Sequence, residues 1–209
     1  MAEVNIDPVA FAGLGVNASL GHDDYARSIY GLRRADTARI DIDLHVRFDP
    51  RLKLSGFVSL ERVTGHQSSY YLGGLTLTDP NLIWRDDNRD DAQTIGVKLD
   101  WLTQVSGLKF TGSFNQTIGT TKTRIAAANI SVATTTAPLP DVTSHRQSVH
   151  LAGDYALSQD WHVAGLYQFE RLSARDWAYA EGYINLLTAG LSAPRDHVHI
   201  FGASLRHGF

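Results

Sequence analysis

Between residues 38 and 48, apolar and charged side chains alternate without a break. Ile40, Ile42, Leu44, Val46 and Phe48 fall on one face, and Arg39, Asp41, Asp43, His45 and Arg47 on the other. A period of two is the mark of a β-strand with unlike faces. Slipping the register by one residue would turn two arginines toward hydrocarbon, at about 2–4 kcal/mol each near a bilayer midplane. Such a strand has one sensible orientation.

Seven further segments repeat the pattern less perfectly, over 10–20, 52–61, 94–101, 108–118, 147–157, 161–170 and 197–209. Their apolar faces carry Leu14 and Val16, Leu54 and Val58, Ile95 and Val97, Phe114, Leu151, Val163 and Leu205. Opposite lie Lys53 and Glu61, Lys98 and Asp100, Lys109, Asp154, Glu170 and Arg206. Each segment is about long enough to cross a bilayer as a tilted strand. The pattern predicts an all-β fold, an antiparallel up-and-down transmembrane barrel with about eight strands present.

The connections alternate in length. Tight turns are expected at Asp49-Pro50-Arg51, around 104–107 and at 158–160, and longer polar loops at 21–37, 62–93, 119–146 and 171–196. Counted back from Phe209, every short turn falls on the side of the carboxy terminus. Short turns on one side and long loops on the other are the asymmetry of outer-membrane barrels. Phe48, Trp101, Phe110, Tyr155, Trp161 and Phe209 gather near that edge on the apolar face, as an aromatic girdle would. Bacterial outer-membrane barrels commonly finish on an alternating strand that ends in Phe. That ending makes the barrel-assembly machinery an expected partner, alongside outer-membrane lipid. The polar face then becomes the lumen, lined by Arg39, Asp41, Asp43, His45, Arg47, Lys53, Glu61, Lys98, Asp100, Lys109, Asp154, Glu170 and Arg206. So mixed a lining suits water or a hydrophilic plug.

Composition narrows the choice. With 209 residues and 43% hydrophobic content, one domain spanning 1–209 is the simplest organisation. No run of about 18 apolar residues offers a helical span. The absence of cysteine excludes disulfides, thiolate metal sites and Cys-x-x-Cys-His haem attachment in this chain. A net charge of −3 and the lack of a Lys/Arg block argue against nucleic acid. Met1-Ala-Glu-Val-Asn-Ile-Asp-Pro8 lacks the basic start, apolar stretch and cleavage site of a signal peptide. For an exported barrel this implies a removed leader or a carboxy-terminal piece of something longer.

Chemistry-bearing motifs are few. Asp86-Asp-Asn-Arg-Asp90 has the D-x-N-x-D spacing of a calcium loop, but Asp91 replaces the required Gly and no Glu closes the loop. A solvated loop is expected there. His197 and His199 share a strand face without a carboxylate or thiol in register, which places them near a rim or interface. His22-Asp-Asp24 and the scattered serines form neither a Gly-x-Ser-x-Gly elbow nor a readable triad. No catalytic, metal or cofactor-binding residue is assigned, and the expectation is a non-catalytic protein.

Asp24-Tyr25 with Ser28 and Gly31-Leu32, then Trp84, Asp87-Asn-Arg-Asp90 and Thr94-x-Gly96, then Tyr167-Gln-Phe-Glu-Arg171 and Asp176-Trp177, together with the terminal aromatic, resemble the carboxy-terminal part of the MtrB/PioB family. These are the decahaem-associated outer-membrane barrels of porin–cytochrome conduits. The resemblance implies a bacterial outer-membrane location and a sheath around a multihaem c-type cytochrome that carries electrons across that membrane. The haem would belong to the partner, with no cofactor in this chain. It also implies a larger barrel, of which this chain is a carboxy-terminal portion, since eight strands closed on themselves leave room only for side chains. Three other readings stand beside it: a small eight-stranded structural, adhesive or narrow-pore protein; a soluble lipocalin-like barrel with its apolar faces inward; and a rim-active hydrolase, for which no constellation is found.

Overall fold

The computed structural model describes residues 2–9, 11–25, 27, 30–70, 83–127, 139–177 and 195–208. Among the described residues nine strands make one sheet: β1 (Ala2–Val9), β2 (Ala12–Asp24), β3 (Gly31–Asp49), β4 (Leu52–Tyr70), β5 (Ile83–Leu102), β6 (Leu108–Ala127), β7 (Val142–Ala156), β8 (Trp161–Arg175) and β9 (Arg195–His207). Strand order equals sequence order and every neighbouring pair is antiparallel. This is the up-and-down meander that the alternation predicts. Among the described residues β1 and β9 do not pair, so the sheet is open.

All eight predicted strands are present, with one more in front of them. In β1, Val4 and Ile6 alternate with Glu3, Asn5 and Asp7, but the run is short and contains Pro8. Proline has no amide to donate and is tolerated at a sheet edge, which is where β1 lies. The turns at 50–51, 103–107 and 157–160 fall where the sequence puts them. At the first, the Arg51 amide donates to Asp49 Oδ1 at 2.6 Å. Gly107 adopts φ 79°, a left-handed conformation that favours glycine, in the turn between β5 and β6.

The expected long loops are shorter than predicted, because the strands run on into them. The ladder of β4 with β5 continues without a register shift from Leu52↔Trp101 to Tyr70↔Ile83. Asp86–Asp91, expected in a solvated loop, therefore lie within β5. Alternation is lost there because charged side chains occupy both faces, while the backbone hydrogen bonds persist.

Among the described residues no large side chain is fully buried. Among the described residues the sheet has no dry interior.

Candidate functional site

Antiparallel pairing puts directly opposed residues on the same face, so the register assigns every belt position. Asp41↔Ser59, Ser59↔Thr94 and Thr94↔Thr117 carry one face across β3 to β6; Ile42↔Val58, Val58↔Ile95 and Ile95↔Gln116 carry the other. All thirteen residues predicted to line the lumen, from Arg39 to Arg206, share the first face.

Some of the thirteen are brought together and some are not. Arg39 Nε donates to both Asp41 oxygens at 2.8 and 3.0 Å, and Arg39 Nη1 lies 3.6 Å from Glu61. Lys98 Nζ is 3.0 Å from Asp100, which also accepts from Thr111 Oγ1 at 3.1 Å. Asp154 joins three strands, pairing with Arg206 and lying 3.2 Å from His162 Nδ1. Glu170 accepts from Arg146 Nη2 at 3.0 and 3.1 Å and from Gln168 Nε2 at 2.9 Å. Asp43 instead lies over Gly15, where a Cβ would collide with its carboxylate. Arg47 stands opposite Lys53 beside the turn. Exposed pairs of this kind stabilise by about 0–1 kcal/mol, so the face is a wettable mosaic rather than a rigid lock.

Apolar side chains dominate the other face, and they are exposed. Ile42, Val97 and Leu151 show 43%, 52% and 49% of their surface. Phe48, Trp101, Phe110, Tyr155 and Trp161 all lie on it at the short-turn edge, with the Trp101 and Phe110 rings stacked at 6.2 Å. Phe209 lies outside the described residues, as does Ser28. Gln116 and Gln147 interrupt this face and bond to each other at 3.3 Å. Phe57 breaks the pattern in the opposite sense: it sits on the polar face with its ring lying over Gly96, where a Cβ would strike it.

Beyond the apolar belt, toward the long loops, a second polar zone appears that the sequence reading missed. On the apolar face's side, Asp36 accepts from Arg34 Nε at 2.7 Å and lies 2.7 Å from His22 Nδ1. Asp91 accepts from Arg62 at 2.6 Å and Arg89 at 2.8 Å, and Asp87 lies 2.6 Å from His66. Both trios lie outside the belt segments. Hydrogen bonds from Arg34 and then His22 hold the Asp36 carboxyl below its usual range, and Arg62 does the same for Asp91.

On the polar face at this height, Asp86 is 95% buried, with 5% of its surface exposed. One of its oxygens accepts from Gln67 at 2.6 Å and Asn88 at 2.8 Å, while Oδ1 has no partner. Asn88 accepts from Thr123 and Asp90 from Thr121. The D-x-N-x-D residues thus share a strand face and take donors from the protein. Among the described residues no group of three His or acidic side chains is placed to hold a metal. His197 and His199 lie near the start of β9, their rings 5.7 Å apart, and His199 packs against Phe169 at 5.0 Å. His199 pairs across the ladder with Phe169, and its Nδ1 lies 3.0 Å from the Tyr167 hydroxyl.

A two-faced antiparallel meander of tilted-strand length with an aromatic edge defines an outer-membrane β-barrel protein. The chain belongs to the MtrB/PioB family, whose model, an outer membrane beta-barrel porin, matches residues 1–209. That family membership places it in the bacterial outer membrane. No curated protein matches the chain. Among solved structures, the copper transporter OprC aligns over 97% of this chain with a TM-score of 0.69 at 9% identity. That likeness concerns the fold alone. The chain spans about a third of OprC's length, 34%. The outer-membrane protease OmpT from Escherichia coli and the ferric yersiniabactin receptor FyuA from Yersinia pestis align over 99% and 97% of the chain at 12% and 10% identity, covering 82% and 40% of those proteins, with TM-scores of only 0.33 and 0.36.

Proposed function

We propose that this sheet is one wall of a larger transmembrane cylinder, non-catalytic, that sheathes a multihaem c-type cytochrome in the outer membrane. The apolar face meets hydrocarbon, the aromatic edge sits at the periplasmic interface, and the thirteen polar residues face the lumen. The observation that carries this reading is the family match over 1–209, joined to a sheet whose two edges are both unpaired. An open edge in lipid leaves backbone groups unsatisfied at several kcal/mol each, and in this reading further strands complete the ring. The exposure of Ile42, Val97 and Leu151 also argues against the lipocalin-like alternative, which needs them in a dry centre.

The chemistry of the role is insulation and positioning. Arg39, Lys98, Asp154 and Glu170 offer charge-assisted hydrogen bonds to a hydrophilic protein surface, while the wall keeps acyl chains away from it. Haem and its redox chemistry come with the partner; the lining holds that partner in register.

The test is co-purification of the tagged full chain, expressed in the outer membrane with its genomic neighbours. Covalent haem in the eluate, reduced when Arg39, Lys98 and Arg206 are together changed to Glu, is the expected result. A haem-free protein that conducts ions as an empty pore would replace this reading with that of a simple porin.

A further inference from the structure

Charge is distributed unevenly along the upper zone of the apolar side. Over β2 to β5 most cations have a carboxylate: Arg34 and His22 with Asp36, Arg62 and Arg89 with Asp91, and His66 with Asp87, with Arg85 the exception. Over β8 and β9 there is no such balance. Pairing sets Arg171 opposite His197 and Ser173 opposite Arg195, with Arg175 at the end of β8. Glu170 and Asp196 belong to the other face by parity, and among the described residues none of these three arginines forms an ion pair.

The ground between them is hollow. A depression of about 550 Å³ is bordered by Phe169, Arg171, Ser173, Arg195, His197 and Asp196, two arginines against one carboxylate. Directly below it, on the same face, an open apolar groove of about 730 Å³ crosses the belt. Gly153, Gly165 and Ala203 form its floor, and Leu151, Tyr167 and Phe201 its walls. Cross-strand pairs keep these residues adjacent: Gly153↔Gly165, Gly165↔Ala203 and Tyr167↔Phe201. A Cβ on Gly165 would meet nothing within 4 Å, and Phe201 is 77% exposed. Cationic hollow above and greasy groove below match an amphiphile with an anionic head.

We infer that β7 to β9 form a site for a phosphate-bearing lipid of the outer leaflet, its phosphate held by Arg171 and Arg195 and an acyl chain laid along the Gly153–Gly165–Ala203 groove. Planar guanidinium groups bind phosphate through paired, charge-assisted hydrogen bonds. The height agrees, because Arg171 lies two residues beyond Phe169, the last apolar residue of this face on β8. A free phosphate would use the hollow and leave the groove empty; the continuity of the two favours lipid. This inference rests on the proposed facing of the sheet.

The test uses the full chain refolded with lipid A, a bis-phosphorylated glycolipid, in phosphatidylcholine nanodiscs, with retention read by native mass spectrometry after release into detergent. Wild type is expected to keep one lipid A. Arg171→Gln/Arg195→Gln and, separately, Gly165→Leu should each lower retention by at least about tenfold, the loss of one charge-assisted contact. Arg62→Gln, at the same height but in the balanced zone, should leave it unchanged. No retention by wild type, unaltered retention in the variants, or full displacement by inorganic phosphate alone would overturn the site. A fluorophore on Val97→Cys, quenched by brominated acyl chains, checks the facing independently. Quenching with unaltered retention sinks the lipid site alone; absence of quenching removes the facing and the site together.

Discussion

At the scale of single residues, the two sides of β3 should answer very differently to substitution. Leu44 is 49% exposed on the apolar face, and Asp43 is its neighbour on the polar one. Leu44→Arg should cost about 2–4 kcal/mol of folding in lipid vesicles, whereas Asp43→Asn should be nearly neutral. Equal refolding yields for the two would contradict the facing. A second case lies at Gly96, which leaves room for the Phe57 ring. Gly96→Leu should destabilise by about 1–3 kcal/mol through overpacking, read as a lower urea midpoint, and Phe57→Ala should relieve part of that loss, the rest coming from Asn115. If Phe57→Ala leaves the Gly96→Leu penalty intact, the ring does not occupy that space.

At the scale of strands, what the sequence makes legible is the contrast between faces, not the backbone ladder itself. Ile40 to Phe48 read clearly because hydrocarbon on one side and water on the other impose a period of two. The contrast vanishes above the belt. Arg62 to Gln67 and Asp86 to Asp91 have water-compatible side chains on both faces, so strand and loop look alike in composition although Arg62↔Asp91 and Gln67↔Asp86 are paired. Hence the tight turns and the eight belts were readable, while the strand extensions and the Asp36 and Asp91 trios were not. The missed β1 has a different cause, since a brief run holding Pro8 carries too little signal against the polar residues around it. Amide exchange offers a direct check: residues 86–91 should be protected on the timescale of the belt. Exchange as fast as in an unstructured peptide would return that segment to a loop.

At the scale of the whole molecule, the question is whether nine strands close or continue. The chain contains no cysteine, so single-cysteine pairs can be introduced along β1 and β9 without a background. On the proposed reading no register of such pairs gives an intramolecular disulfide in membranes, because further strands would stand between the two edges. A bridge forming in good yield would instead mean a small closed barrel with no room for a protein partner. The order of the strands bears on how a cylinder of this type can vary. Since, among the described residues, each strand pairs only with the ones before and after it in the chain, a hairpin can be duplicated or deleted without breaking any other pairing. Girth therefore becomes a quantity that evolution can adjust in steps of two strands, matching the bore to cargoes of different diameter while every remaining contact stays as it was.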